Sequence, residues 1–131
     1  MSAHMQVLSI GLHPSQVNFD AHPGFDQQKL TALLDRDMLD LRLNGVAVTE
    51  CFLFLDGSAQ EKIQSFLSVQ EFDVIMIGAG IRCDPNMLSL FEQVINLIHV
   101  CAAKSLICFN SKPNDTYEAI QRVSPSRLRK R

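Results

Sequence analysis

The sequence predicts an α/β three-layer sandwich in which a four-stranded parallel sheet, of strand order 2-1-3-4, has helices on both faces. Segments rich in β-branched and aromatic residues alternate four times with segments whose apolar residues recur at intervals of three and four. Strands connected by helices require parallel pairing through right-handed crossovers. One strand segment, residues 73–78, is almost continuously apolar, which is typical of a strand covered on both faces.

The first two strand-helix units are predicted from their periodicity and their end signals. A strand over residues 6–12 precedes a helix that Asp26 caps and Gly45 ends. The apolar stripe of this helix consists of Leu30, Leu33, Leu34, Met38 and Leu41. A second strand spans residues 46–55. Ser58 and Glu61 then have the spacing of a capping box, in which each side chain satisfies the other residue's backbone N–H.

The last two units complete the sheet. Residues 73–78 form the third strand and residues 86–102 the third helix, and a fourth strand over 104–110 leads to a last helix over 115–123, which Pro125 ends. We therefore expect a single α/β domain over residues 1–124 and a disordered basic tail over 125–131. In this order, a crevice opens between the carboxyl ends of strands 1 and 3.

Composition and charge exclude several classes of protein. Of 131 residues, 47% are hydrophobic and 20% are charged, which is typical of a globular domain. The longest apolar run falls short of the roughly 20 residues of a membrane span, and we expect a soluble cytoplasmic protein. Residues 1–126 carry eight basic and fourteen acidic groups, a net charge of −6, which argues against nucleic-acid binding. Cys51, Cys83, Cys101 and Cys108 lack metal-ligand spacing and are expected to be reduced thiols.

Three loops are expected to line the crevice. The first, residues 13–25, is unusually long and is either functional or a packed lid whose Val17, Phe19 and Phe25 close the core. The second carries two glycines that either admit a ligand to the backbone or allow a tight exit from the strand. We expect a small anionic or nucleotide-like ligand. The candidate ligand-binding residues are Ser15, Gly78, Gly80, Arg82, Asn110 and Ser111.

Weaker candidates lie in the same three loops. His13 and His22, with Asp20 between them, have the chemistry of an acid/base pair or half of a metal site, but no third ligand follows and no metal is expected. Cys83 follows Arg82, a neighbour that lowers a thiol pKa, and Arg82 itself is expected to pair with Asp84 or an acid of the first loop. Lys112, which precedes Pro113, completes this set. No residue receives a catalytic role, no cofactor is indicated, and enzymatic activity is left open.

Established nucleotide motifs are absent, since the 78–84 loop lacks the third glycine of G-x-G-x-x-G and follows the third strand rather than the first. Residues 74–82, 91–99 and 108–115 together resemble an uncharacterised family of small bacterial α/β proteins over nearly the whole chain. This resemblance implies the fold and a cytoplasmic location. In architecture the chain is similar to flavodoxin-like and Rossmann-like domains, which by itself implies no activity.

The predicted helix over residues 86–102 indicates a homodimer. Its polar residues form one narrow stripe: Ser89, Glu92, Gln93, Asn96 and His99. A helix outside a sheet needs an apolar face of only about 100°, so this helix has more apolar surface than its own sheet can bury. Either neighbouring helices or a second subunit covers the excess, and we expect a two-fold contact. A non-catalytic protein-interaction module that uses a helix face is therefore the alternative function.

Overall fold

The computed structural model describes residues 4–124 and contains a four-stranded, all-parallel sheet in the order β2-β1-β3-β4. The strands are β1 (Met5–Leu12), β2 (Val46–Leu53), β3 (Val74–Ile77) and β4 (Leu106–Phe109). The α-helices of the described part are α1 (Gln27–Leu43), α2 (Ala59–Val69), α3 (Ala79–Arg82), α4 (Leu88–Cys101) and α5 (Thr116–Val123). The predicted fold class and strand order are confirmed. The predicted tail over 125–131 lies outside the described residues.

Two apolar cores lie on opposite faces of this sheet. Alternate residues of β1 serve the two faces: Leu8 and Ile10 belong to the core that α2, α3 and α4 cover, whereas Val7 belongs to the core under α1 and α5. β3 is buried along its whole length and contributes Ile75 to the first core and Val74 to the second. This double burial confirms the prediction from its continuous apolar sequence.

The ends of α1 agree with their sequence signals. The Asp26 carboxylate accepts a hydrogen bond from the Lys29 N–H at 2.8 Å, which caps the first turn. After the helix, Gly45 adopts a φ of 82°, a left-handed conformation that favours glycine.

The predicted capping box at α2 is wrong. Ser58 makes no capping hydrogen bond, because its backbone is already helical rather than extended and its hydroxyl donates to Asp56 Oδ1 at 2.5 Å. The Ser58 N–H donates to the same carboxylate oxygen at 3.1 Å. These two bonds lower the pKa of Asp56, with the side-chain bond as the larger cause. Asp56, two positions upstream, therefore binds the Ser58 hydroxyl that the capping box would have required.

Other element boundaries also differ from those predicted. The loop over 78–86 contains the short helix α3, anchored by the buried side chain of Ile81, and a 3₁₀ turn over Pro85–Met87, so that α4 begins later than expected. β4 is shorter than the predicted 104–110 and leaves Asn110 just beyond its end. In residues 4–124, none of the helices combines the length and the apolarity that a membrane span requires.

We expect Asp26→Ala to lower the free energy of unfolding by about 1 kcal/mol, because the first turn of α1 loses its acceptor. Ser58→Ala should change it by less than about 0.5 kcal/mol, as is usual for a surface substitution outside a cap. Denaturant unfolding of both variants measures the difference. Asp26→Asn is the control, since it retains an oxygen acceptor, and a cost for Ser58→Ala equal to that of Asp26→Ala would contradict the assignment.

Candidate functional site

At the carboxyl end of β3, the chain turns directly into α3. The Gly78 N–H donates to Ile10 O at 2.8 Å, and the Ala79 N–H donates to the side-chain oxygen Oδ1 of Asn110 at 2.8 Å. The three N–H groups of residues 81–83 donate to Gly78 O and Ala79 O. Within the described part of the chain, the N–H of Gly80 is the one in this segment that has no hydrogen-bond partner. Among the described residues of this segment, the structure therefore leaves one free backbone donor for a ligand.

The two glycines differ in what surrounds them. A Cβ atom at Gly78 would lie 3.5 Å from Ile10 O and 3.7 Å from Gly11 Cα, which are ordinary contacts with the backbone of β1. Gly78 thus faces the neighbouring strand rather than an open crevice. A Cβ atom at Gly80 would meet nothing within 4 Å, and Gly80 is exposed. The space at the Cβ position of Gly80 is therefore open.

Arg82 is a half-buried cation that has no carboxylate partner among residues 4–124. Its Nη2 donates to Asn110 O at 3.1 Å, and its guanidinium carbon lies 5.5 Å from the centroid of the Phe109 ring. Its Nε is buried and makes no hydrogen bond. The predicted partner Asp84 instead accepts a hydrogen bond from the Asn86 N–H at 2.9 Å. Among the described residues, the ion pair present joins Arg42 to Glu50 at 4.0 Å, far from this group in the sheet order.

The third of the predicted loops, residues 110–116, is closed by its own carboxylate. Asp115 Oδ1 accepts hydrogen bonds from the Ser111 N–H at 3.0 Å and from the Lys112 N–H at 3.3 Å. The side chains of Ser111 and Lys112 are exposed and follow directly after Asn110. The loop can therefore offer a hydroxyl and an ammonium group to a ligand, whereas the N–H groups of Ser111 and Lys112 are already used.

Three buried side chains connect this edge to α1. Asn110, Thr116 and Asp37 have exposed fractions of 4%, 0% and 4%. The Asn110 Nδ2 donates to Thr116 Oγ1 at 3.3 Å, and Thr116 Oγ1 donates to Asp37 Oδ2 at 2.5 Å. Burial raises the pKa of Asp37, hydrogen bonds from Thr116 oppose this, and the charges of Asp40 and Asp115 add to the rise.

Sequence reasoning missed Asp37 and Thr116. A signal for Asp37 was present, because it lies three residues after Leu34 and four before Leu41, on the apolar face of α1. An acidic residue on such a face is buried only with hydrogen-bond donors around it. Thr116 opens the last helix and carries no comparable signal.

The first loop forms a separate cluster. The His13 ring stacks on Phe54 with centroids 4.8 Å apart, and its Nδ1 accepts a hydrogen bond from the Ser15 N–H at 3.1 Å and lies 2.8 Å from Ser15 Oγ. None of the hydrogen bonds in residues 4–124 joins this cluster to Arg82 or Asn110. The structure thus does not bring Ser15 together with the other candidates. The loop contains two 3₁₀ turns, Pro14–Gln16 and Phe19–Ala21.

The alternative interpretation of this loop as a packed lid holds only in part. Val17 packs against the core on the α2 and α4 face, whereas Phe25 is 40% exposed. Asp20 and His22 are both exposed. The structure, over the range that it describes, contains no group of three or more His, Cys, Asp or Glu side chains that could hold a metal ion.

The four thiols divide into two pairs. Burial raises the pKa of Cys51 to about 11 and that of Cys108 to about 12, so both are protonated at neutral pH. Cys83 and Cys101 are exposed, and all four cysteines are free. Cys83 lies next to Arg82 in the chain but no base contacts it in the described part. Its chemical role stays a prediction.

No family model matches the chain, and no curated protein matches it. The function is therefore inferred from the residues at the carboxyl edge. The arrangement there consists of one half-buried cation, one open backbone donor and a buried polar connection to α1.

Asp37→Asn tests how ionisation of the buried Asp37 carboxyl group affects stability. Because burial raises its pKa above the ordinary value of 3.8, the native state binds more protons than the unfolded chain between those two values. We expect the free energy of unfolding of the wild type, relative to Asp37→Asn, to fall as the pH rises through this window and to level off above it. Thermal or denaturant unfolding across pH measures the difference. The exposed Asp35→Asn variant is the control, and a difference that grows with pH would show that the anion is stabilised instead.

Proposed function

We propose that the protein binds a small anionic or nucleotide-like ligand at the carboxyl edge of its sheet, with Arg82 as the principal anion-binding residue. The observation that carries this proposal is a half-buried guanidinium group with no carboxylate partner in residues 4–124. A charge that is partly removed from water costs free energy unless an opposite charge accompanies it. An anion from solution would supply that charge.

The contacts of Arg82 hold its guanidinium group in place but leave some of its N–H donors without an acceptor among residues 4–124. Asn110 O takes one of its five N–H groups, and the Phe109 ring lies against the guanidinium. The remaining terminal N–H groups have the planar fork geometry that matches carboxylate and phosphate oxygens. Ser111 and Lys112 follow Asn110 in the chain, and with the N–H of Gly80 in α3 they supply additional donors. These features support binding of an oxyanion.

The negative charge of the rest of the chain restricts where an anion can bind. Residues 1–126 have a net charge of −6, so anions are repelled from most of the surface. Anion binding that survives this repulsion requires a local cation. We limit the proposal to binding, because no nucleophile in the described part contacts both a base and Arg82.

We expect inorganic phosphate and adenosine monophosphate, titrated at constant ionic strength, to shift the amide NMR signals of residues 78–83 and 110–112 in a saturable way. Arg82→Gln removes the charge and should weaken binding by about tenfold or more, which is 1.4 kcal/mol per tenfold. Arg36→Gln, an exposed arginine on α1, is the matched control and should bind as the wild type does. Absence of saturable shifts, or equal affinities of the two variants, would reject the site.

Gly80→Ala separates backbone recognition from simple charge attraction. Gly80 lacks a positive φ and its Cβ position is open, so the variant should fold with unchanged or slightly higher stability. If the ligand lies against the Gly80 N–H, affinity should fall while the melting temperature does not. An unchanged affinity would limit the site to Arg82 and its side-chain neighbours.

A second candidate function is interaction with another copy of the chain through α4, in the homodimer predicted above. The observation that favours it is a groove of about 400 Å³ between the end of α4 and the start of β4. Its lining is mostly apolar: Ile95, Asn96, Ile98, His99, Ala102, Ala103, Ser105 and Ile107. Val100, on the same helix, is 77% exposed. Leu90 and Leu97, in contrast, are half-buried against the chain's own core.

The two edges of the sheet also differ in how many of their carbonyl groups accept hydrogen bonds from cationic side chains. At the β2 edge, Lys62 donates to Phe52 O and Arg42 donates to Val48 O. At the β4 edge, Arg122 donates to Phe109 O, at the far end of the strand from the groove. Cations over edge carbonyls discourage pairing with another strand, and within the described residues β2 carries more of this protection.

We expect the wild type to sediment as a dimer at high protein concentration and Val100→Glu to sediment as a monomer, because the charge would be buried in the contact. Val69→Glu is the matched control, since Val69 is 75% exposed at the end of α2, away from the groove. Sedimentation velocity measures both. A monomeric wild type at all concentrations, or identical behaviour of the two variants, would reject the dimer.

A further inference from the structure

We propose that Asp37, Thr116 and Asn110 are positioning residues for Arg82, so that the charge state of a buried group on α1 is coupled to anion binding at the carboxyl edge. The ligand half of this inference rests on the proposed function. The positioning half concerns the protein alone and can be measured without a ligand.

Asn110 holds both ends of the four-residue helix α3. Its side-chain oxygen Oδ1 accepts a hydrogen bond from the Ala79 N–H at 2.8 Å, and its backbone oxygen accepts one from Arg82 Nη2 at 3.1 Å. Ala79 is the first residue of α3 and Arg82 the last. A displacement of Asn110 therefore changes the start of α3 and the position of the guanidinium group together.

Thr116 and Asp37 hold the amino group of the Asn110 amide. The Thr116 hydroxyl has one proton, and it donates that proton to Asp37 Oδ2 at 2.5 Å. The hydroxyl oxygen must then accept from the Asn110 amide, at 3.3 Å, which leaves Oδ1 of Asn110 to accept from Ala79. The Ala79 N–H can only donate and an ionised carboxylate can only accept, so Ala79 and ionised Asp37, at the two ends of the series, together set the direction of every bond in it. At most 4% of each of the three side chains is exposed, so bulk water does not compete.

Protonation of Asp37 would remove this constraint. A protonated carboxyl group has a donor of its own, and the Thr116 hydroxyl is then no longer obliged to donate to it. The charged groups that act on Asp37 are Asp40, on its own helix, and Asp115, at the start of α5, and both favour protonation. Ionised Asp37 thus favours the arrangement that holds Arg82. By reciprocity, anion binding should favour ionised Asp37 by the same factor.

The experiment compares Thr116→Val, which loses the hydroxyl, with Thr116→Ser, which retains it. Without ligand, we expect Thr116→Val to accelerate hydrogen exchange of the Ala79 amide by about tenfold and to shift the NMR signal of the Arg82 Nε–H, and Thr116→Ser to restore both. Thr31→Val is the matched control, because the Thr31 hydroxyl donates to Gln27 O on α1 and has no link to α3. Wild-type exchange and an unshifted Arg82 signal in Thr116→Val would overturn the positioning role.

Sulfate is the probe for the coupling, because its charge is constant over the pH range in which Asp37 titrates. We expect the wild type to bind sulfate about fivefold more weakly once Asp37 is protonated, and Asp37→Asn to lose this pH dependence. A pH profile that Asp37→Asn leaves unchanged would overturn the coupling. If the wild type binds no sulfate at any pH, the proposed anion site fails, and the exchange rate and the Arg82 signal still decide the positioning role.

Discussion

Burial of β3 on both faces is the constraint on which the rest of the structure depends. The four residues Val74–Ile77 have exposed fractions between 0% and 3%, so helices must cover both sides of the sheet for this strand to exist. A strand enclosed in this way has no room for polar side chains along its length. Polar groups next to β3 can therefore collect beyond its carboxyl end, where the neighbouring strand β4 ends directly at Asn110. The polar network at the carboxyl edge follows from the apolar strand beside it.

Hydrogen bonds between aspartates and nearby backbone N–H groups explain why Arg82 has no counterion in the described part of a chain with fourteen acidic residues. Several aspartates use their carboxylates to accept backbone N–H groups within a few residues of themselves: Asp26, Asp56, Asp84 and Asp115. A carboxylate held in a local turn points back at its own loop. Acidic composition therefore does not imply that each cation is neutralised, and the position of the carboxylates matters more than their number.

How much could be predicted depended on the distance in sequence over which each contact acts. The helices and strands were predictable because their periodicity is local, and the strand order followed because parallel crossovers have a single favoured hand. Helix α3 was missed because four residues are too few for a periodic signal, and its existence depends on the burial of Ile81. The pairing of Arg82 with Asp84 was expected from proximity in the chain, but Asp84 accepts from the Asn86 N–H instead. The contact between Thr116 and Asp37 spans 79 positions and leaves no pattern in the sequence.

The unequal edges of the sheet bear on how copies of this protein can assemble. A molecule with two available edges can add a neighbour at each, and such head-to-tail addition continues without limit into fibres. Here the long edge strand β2 has Lys62 and Arg42 against its carbonyl groups, and the less protected β4 is only four residues long. A molecule that can pair through one edge is saturated by a single partner. Lys62 and Arg42 at the β2 edge therefore oppose the open-ended addition of strands at both edges of the sheet.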